Sequence, residues 1–205
     1  MKNKSLILNI LIFLLEVVGL IVNLSINKRI GVEYYTSLSN ILILITSLLF
    51  IIYFFKREKI PKYLKILKLS STVCISITFL IVILVLAPMY NFNYKYMLFH
   101  NELLYYHLLC PILSIITFIF FDDLNDFNKK DSYFGLSFTL LYAIILSTLN
   151  ILKIVYGPYP FLRVYEQSIF VSIIWFILIN GLSYLVGVIL IKMYNKYRKK
   201  VKKWN

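Results

Sequence analysis

The chain has 205 residues, of which 60% are hydrophobic and only 15% are charged, and its formal net charge is +13. Soluble domains are less apolar and carry about 25% charged residues, so this composition excludes an ordinary water-soluble fold. The basic residues border apolar blocks instead of forming one patch, which argues against a nucleic-acid-binding protein.

Six apolar blocks are long enough, or nearly so, to cross about 30 Å of hydrocarbon as α-helices. The connections between them are too short for a second domain with its own core. The sequence therefore predicts one all-α domain over 1–205, a polytopic membrane protein built as a bundle of six transmembrane helices. The predicted spans are about 5–26, 36–55, 69–90, 103–121, 134–155 and 168–194.

The distribution of Lys and Arg predicts the orientation. Of the 22 basic residues, 17 fall on the side that holds both termini and five fall on the other side. Cytoplasmic loops carry the excess of Lys and Arg, so both termini are expected in the cytoplasm. Heavy use of Ile, Lys, Asn and Tyr with few Ala and Gly is typical of AT-rich bacterial genomes, which favours a bacterial plasma membrane.

Two cytoplasmic connections carry clustered charges. In the segment 56–68, Pro61 is suited to start a short helix, which we expect on the inner membrane surface near anionic lipids. The segment 122–133 carries four Asp but lacks the Gly and terminal Glu of a calcium-binding loop. It is therefore interpreted as a solvated turn.

A few polar side chains lie inside the predicted spans, where each one needs a partner. Glu16 is the deepest acid, and it is either functional or protonated and hydrogen-bonded to a neighbouring helix. Asn180, midway along the sixth span, is expected to hydrogen-bond between helices. Cys74 and Cys110 lack metal-ligand spacing and are expected to pack as small apolar residues.

Other polar groups fall toward the outer end of the spans. Thr36 and Asn40 are four residues apart and share a helix face; taken alone, Thr36 is most simply the N-cap of the second helix. In the fourth span Pro111 follows His107 by four residues and has no N–H for the His107 carbonyl, so a kink and an unpaired carbonyl acceptor are expected beside the imidazole.

The loop between the fifth and sixth spans is aromatic and stiff. Its sequence, Tyr156-Gly157-Pro158-Tyr159-Pro160-Phe161-Leu162, combines a turn glycine with two prolines. Such a loop can be an interfacial aromatic belt. The predicted topology nevertheless places it on the same side of the membrane as Thr36 and His107.

Three segments in order resemble the androgen-induced-gene (FAR-17a type) membrane hydrolase family and its bacterial relatives, which have six spans. The segments are Tyr35-Thr36-Ser37-Leu38-Ser39-Asn40, His107-Leu108-Leu109-Cys110-Pro111 and Tyr159-Pro160-Phe161-Leu162. Vertebrate members are threonine hydrolases that cleave fatty acid esters of hydroxy fatty acids. The resemblance implies an intramembrane hydrolase acting on apolar lipid esters, with no cofactor or metal.

By this resemblance, Thr36 would be the nucleophile and His107 its base, since a Thr hydroxyl needs an adjacent base to attack an ester. Asn40 is assigned to the oxyanion from its spacing alone. Tyr159 and Pro160 would line the site, and Glu16 is a further candidate. The alternative is a non-enzymatic membrane protein, either an assembly partner or a small transporter in which Glu16 and His107 are linked to protons.

Overall fold

Six long helices dominate the computed structural model, which describes residues 2–56 and 59–204. All six are long and apolar enough to cross a membrane, and no strand occurs among the described residues, so the predicted all-α six-helix bundle is confirmed. The long helices are α1 (Lys2–Asn27), α2 (Tyr35–Phe55), α3 (Lys62–Met89), α5 (Leu104–Phe121), α6 (Ser132–Ile151) and α7 (Ile169–Trp204), and a short α4 (Tyr94–Phe99) precedes α5.

Helix α3 lies at the centre of the bundle. It contacts α2, α5, α6 and α7, and it is the most buried of the six spans. Its buried face is rich in small hydroxyl residues, several of which bond to carbonyls of their own helix: Thr72 to Lys68 at 2.7 Å and Ser76 to Thr72 at 2.6 Å. Small residues let helices approach closely in lipid, which explains how one helix can touch four others.

The segment 56–68 differs from its prediction. Pro61 does stand just before a helix, but the helix that starts at Lys62 runs straight into the third span instead of lying on the membrane surface. The side chains of Leu64 and Lys68 are fully buried. The helix enters the bundle because Lys68 has a buried acidic partner, Asp122, with its Nζ 3.7 Å from Asp122 Oδ2.

The interpretation of 122–133 as a solvated turn is wrong for Asp122 but holds for Asp123 and Asp126, whose side chains are exposed. Each of the four Asp side chains pairs with a basic side chain of α3 or α7, and Asp122 is fully buried. The loop therefore ties two helices together at the end of the bundle that the charge distribution assigns to the cytoplasm. The pairs are Asp122–Lys68, Asp123–Arg198, Asp126–Lys202 and Asp131–Lys65.

Helix α6 ends at Ile151, four residues before the predicted end of its span. The side chain of Asn150 causes this early stop by bonding the chain that follows. Its amide nitrogen donates to Val155 O at 2.9 Å, and its oxygen accepts from Val164 N at 2.9 Å. Asn150 thereby folds the 152–164 segment back over the end of the helix.

We call the end with both termini the inner end and the opposite end the outer end, and their orientation is testable by cysteine labelling. Cys74 and Cys110 are both buried, so the native background is low. Lys95 and Lys199 are exposed at opposite ends. In intact cells an impermeant maleimide should label Lys95→Cys and spare Lys199→Cys, because Lys and Arg are retained in the cytoplasm. Both should react after permeabilisation, and the reverse pattern in intact cells would invert the topology.

Candidate functional site

Thr36 lies in the first turn of α2, at the outer end of the bundle. The N-cap of α2 is Tyr34, so the prediction that Thr36 is the N-cap is wrong. The first amides of a helix lack partners within it, and here the partner comes from another part of the chain. The amide of Thr36 donates to the hydroxyl of Tyr159 at 3.2 Å, and the Thr36 hydroxyl lies 3.3 Å from the same oxygen.

Tyr159 is held by the aromatic loop in which the sequence placed it. Pro160 begins a single 3-10 turn, Pro160–Leu162, and the ring of Phe161 stacks on Tyr159 with 5.2 Å between centroids. Phe161 in turn contacts Trp175 of α7 at 5.4 Å. Burial raises the pKa of the Tyr159 phenol above its ordinary value, so the phenol remains protonated and can donate a hydrogen bond.

The Thr36 and Tyr159 side chains line a cavity of about 60 Å³ between α2, α3, α6, α7 and the aromatic loop. Its walls are mostly apolar. By volume it holds several water molecules, at about 10–15 Å³ each. Eight of the twenty lining residues carry a hydroxyl, namely Tyr35, Thr36, Thr78, Thr139, Tyr142, Ser147, Tyr159 and Ser172, whereas His107, Asn40 and Pro160 do not line the cavity.

His107 lies in α5 and is buried. The residues Leu104–Leu109 form a π-helical segment that ends two residues before Pro111, while the kink and the unpaired His107 carbonyl stay predictions. The Nδ1 atom of His107 lies 2.7 Å from the carbonyl oxygen of Met97. Because a carbonyl can only accept, this contact places the proton on Nδ1 and leaves Nε2 as the basic nitrogen.

Thr36 and His107 are not hydrogen-bonded to each other in the described structure, since the Thr36 hydroxyl is bonded to Tyr159. Their relative heights can be read from a buried cluster that contains Ile43 of α2 and Cys110 of α5. Asn40 lies three residues from Ile43 toward the outer end of α2, and His107 lies three residues from Cys110 toward the outer end of α5. His107 is therefore level with Asn40, about one 5.4 Å turn below Thr36.

Asn40 is buried and makes one hydrogen bond, from Nδ2 to the carbonyl oxygen of Thr36 at 2.7 Å. That bond uses one of its two amide protons for the backbone of its own helix. Its Oδ1 is buried without a hydrogen-bond partner. The structure thus brings Asn40, Thr36 and Tyr159 together, and Tyr159 is the closer donor to the Thr36 hydroxyl.

Glu16 lies apart from the cavity, in the middle of α1. Its side chain is 1% exposed and faces Cys110 and Tyr106 of α5, and its Oε1 has no hydrogen-bond partner. Asn180 of α7 is bonded to the carbonyl of Phe176 in its own helix at 2.8 Å, so the expected interhelical bond is not the one that forms.

The buried polar cluster at the inner end was not predicted from the sequence. Asp122 Oδ1 accepts from Ser5 Oγ at 2.5 Å and from Asn9 Nδ2 at 3.1 Å, and Lys68 donates to Asn9 Oδ1 at 2.7 Å. The signal that could have found it is periodicity in α1. Asn9, Glu16 and Asn23 are spaced by seven residues and therefore share one helix face.

Among residues 2–56 and 59–204, no three His, Cys, Asp or Glu side chains lie close enough together to hold a metal ion. The arrangement at the outer end is instead a hydroxyl, a phenol and an apolar cavity, with a histidine of fixed tautomer one turn below. Comparison with protein-family models, with curated proteins and with solved structures finds no match to this chain.

Proposed function

We propose that the protein is an intramembrane hydrolase of lipid esters, with Thr36 as nucleophile and His107 as base. The observation that carries this proposal is the Thr36 hydroxyl, which lines a mostly apolar cavity beside the phenol of Tyr159. A hydroxyl with a neighbouring donor inside an apolar pocket suits an uncharged ester carbonyl. The resemblance of three sequence segments to threonine hydrolases of lipid esters supports the same assignment.

The reaction would follow the usual two steps of acyl transfer. Thr36 Oγ1 attacks the ester carbonyl while its proton passes to Nε2 of His107, and the alcohol leaves with that proton. Water then attacks the acyl-threonine, gives a proton to His107, and releases the acid as Thr36 recovers its proton. The net change is ester plus water to acid plus alcohol, and the Tyr159 phenol donates to the carbonyl oxygen as it becomes negative.

The proton must travel about one helical turn between Thr36 and His107, so the proposal includes a water between them. Neither His107 nor Asn40 lines the cavity, so this water would lie at its margin, between Thr36 and His107. Asn40 lies at the level of that water, and its buried Oδ1, which has no hydrogen-bond partner, would accept one of its protons. Asn40 is then a positioning residue, and the oxyanion role passes to Tyr159.

The cavity's position near the outer end favours an apolar ester drawn from the surrounding membrane lipids. We place the protein in a bacterial plasma membrane on the composition of the chain, which is rich in Ile, Lys, Asn and Tyr. No cofactor enters the proposed reaction.

The proposal is tested with a fluorophosphonate probe that labels activated hydroxyl nucleophiles. Thr36→Ala should abolish labelling, and His107→Ala should slow it by about 100-fold or more, the usual contribution of a general base. Thr36→Ser should keep part of the labelling because it keeps the hydroxyl. The matched control is Ser147→Ala, which removes a different hydroxyl from the same cavity and should label as the wild type does.

Full labelling of Thr36→Ala would overturn the proposed nucleophile. One observation favours a second function, the binding of a lipid without hydrolysis: the hydroxyl of Thr36 is bonded to Tyr159 and not to His107. If a photoreactive fatty acyl ester crosslinks to the cavity of a protein that neither reacts with the probe nor turns over esters, this second function is supported.

A further inference from the structure

Helices α1 and α5 pack antiparallel in a register that can be followed from one end of the bundle to the other. At the outer end Asn27 Nδ2 donates to Glu102 Oε1 at 3.0 Å. Below it, Gly19 packs so closely on Tyr106 that an added Cβ would lie 2.9 Å from the ring. Glu16 then faces Cys110.

The same register continues to the inner end, where Ser5 and Asn9 bond to Asp122. Between the levels of Glu16 and Asp122, Ser114 and Thr117 follow Cys110 at spacings of four and three residues and therefore continue the same face of α5. Both are fully buried, and their hydroxyl oxygens have no hydrogen-bond partner.

Polar groups therefore line this helix pair over its whole length, and we call them the α1–α5 seam. Such groups are costly in hydrocarbon unless they are paired or serve a function. Several of the seam's buried oxygens lack a partner, which helix packing alone does not require. The seam consists of Asn27, Glu102, Tyr106, Glu16, Cys110, Ser114, Thr117, Asn9, Ser5, Asp122 and Lys68. Its buried oxygens without a hydrogen-bond partner are Glu102 Oε2, Glu16 Oε1, Ser114 Oγ and Thr117 Oγ1, whereas Asp122 Oδ2 is ion-paired with Lys68.

We propose that the α1–α5 seam is a path for protons across the membrane, with Glu16 as its central proton-binding group. Among the described residues, Glu16 is the only carboxyl in the middle of the bundle, and buried oxygens without a hydrogen-bond partner lie on both sides of it along the helix pair. On the outer side the Tyr106 phenol lies within electrostatic range of both Glu16 and Glu102. On the inner side Ser114 and Thr117 lead to Asp122.

The seam suits a proton better than a metal cation. A bound cation such as Na⁺ or Ca²⁺ needs a shell of several oxygen ligands, whereas the neighbours of Glu16 are a thiol and a phenol. A row of hydroxyl and carboxyl groups can instead pass protons along, because each group accepts one proton as it gives another.

In one passage, Glu16 gives its proton inward past the hydroxyls of Ser114 and Thr117 to Asp122, with water molecules carrying it between these groups, since neither hydroxyl is hydrogen-bonded to a neighbour. Protonation of Asp122 releases Lys68 from their ion pair until Asp122 passes its proton to the inner water. Tyr106 gives a proton to Glu16 as it accepts one from Glu102, and Glu102 takes its own replacement from the outer water. Only O–H bonds form and break, and one charge moves across the membrane.

The groups that face the seam from neighbouring elements are few. Helix α2 also packs against α1, but it carries no titratable side chain between Tyr35 and Tyr53. His107 is within electrostatic range of Glu102. Within residues 2–56 and 59–204, Lys68 of α3 is the one lysine that contacts the buried part of the seam.

The test is proton flux into liposomes that contain the purified protein and a trapped pH dye, driven by a K⁺ gradient with valinomycin. Wild-type protein should acidify the interior faster than protein-free liposomes do. Glu16→Gln should lower the added flux by about tenfold or more, since a positioned proton-transfer group contributes at least that much. Ser114→Ala should lower it as well. Ser183→Ala, a fully buried serine of α7 away from the seam, should not.

Wild-type flux equal to that of protein-free liposomes would overturn the proposal, as would wild-type flux in folded Glu16→Gln. If Glu16→Gln does not fold, the comparison of Ser114→Ala with Ser183→Ala decides the question, and equal flux in these two variants refutes the path. Flux that disappears when choline replaces Na⁺ would identify a metal cation and also refute a proton path. None of these variants alters Thr36, so probe labelling is measured independently.

Discussion

Lys68→Met should lower the stability of the protein more than any other single change proposed for it. The variant leaves Asp122 fully buried with its charge unpaired, and breaking a buried ion pair in this way costs about 3–5 kcal/mol. For a chain of this length that corresponds to a fall of about 6–20 °C in melting temperature in detergent. Asn9 also loses the hydrogen bond that it accepts from Lys68.

Two further variants make this prediction specific. Lys202→Met breaks an ion pair at the surface, in which the Lys202 side chain is 61% exposed and the Asp126 side chain is 51% exposed. This variant should lose no more than about 1 kcal/mol of stability. The double variant Lys68→Met/Asp122→Asn removes both buried charges and should recover part of the loss. Equal melting temperatures for Lys68→Met and Lys202→Met would contradict a buried pair at the inner end.

Gly157→Ala should displace the aromatic loop and disable the candidate site without touching Thr36. A Cβ at residue 157 would lie 2.7 Å from the carbonyl oxygen of Leu162, which is backbone and cannot swing aside. We expect a loss of about 1–3 kcal/mol from overpacking, together with weaker probe labelling. The emission of Trp175, whose ring contacts Phe161, should shift as the loop moves.

The matched control is Gly181→Ala in α7, where an added Cβ meets no atom within 4 Å. That change should be neutral or stabilise the helix by up to about 1 kcal/mol. If both alanine variants keep the wild-type emission and melting temperature, the loop is not held by the close approach of residues 157 and 162.

The number and type of the spans could be predicted because an apolar block long enough to cross a bilayer has almost no other stable structure. The start of α3 could not be predicted. Six Lys and Arg between 56 and 68 are typical of a cytoplasmic surface, and only the buried carboxylate of Asp122, 54 positions after Lys68, turns this end of the helix into a buried element. Local composition contains no information about a partner so distant.

The candidate site was likewise predictable from the sequence only in part. The polar residues at the outer ends of the spans could be identified from the sequence, because polar side chains in lipid carry a free-energy cost and are rare there. The role of Thr36 within α2 was predicted incorrectly, because local rules supply a cap from the adjacent sequence. Here the amide of Thr36 finds its partner in Tyr159, 123 residues later.

That separation has a consequence for how the protein is made. Chains are synthesised at about 5–20 residues per second, so Tyr159 emerges about 6–25 s after Thr36. During this interval α1 and α2 enter the bilayer as a hairpin, while water and lipid headgroups serve the free amides at the start of α2. The outer end acquires its final form only when the fifth and sixth spans arrive and the loop between them docks. Thr36 therefore acquires its hydrogen-bond partner only after most of the chain has left the ribosome.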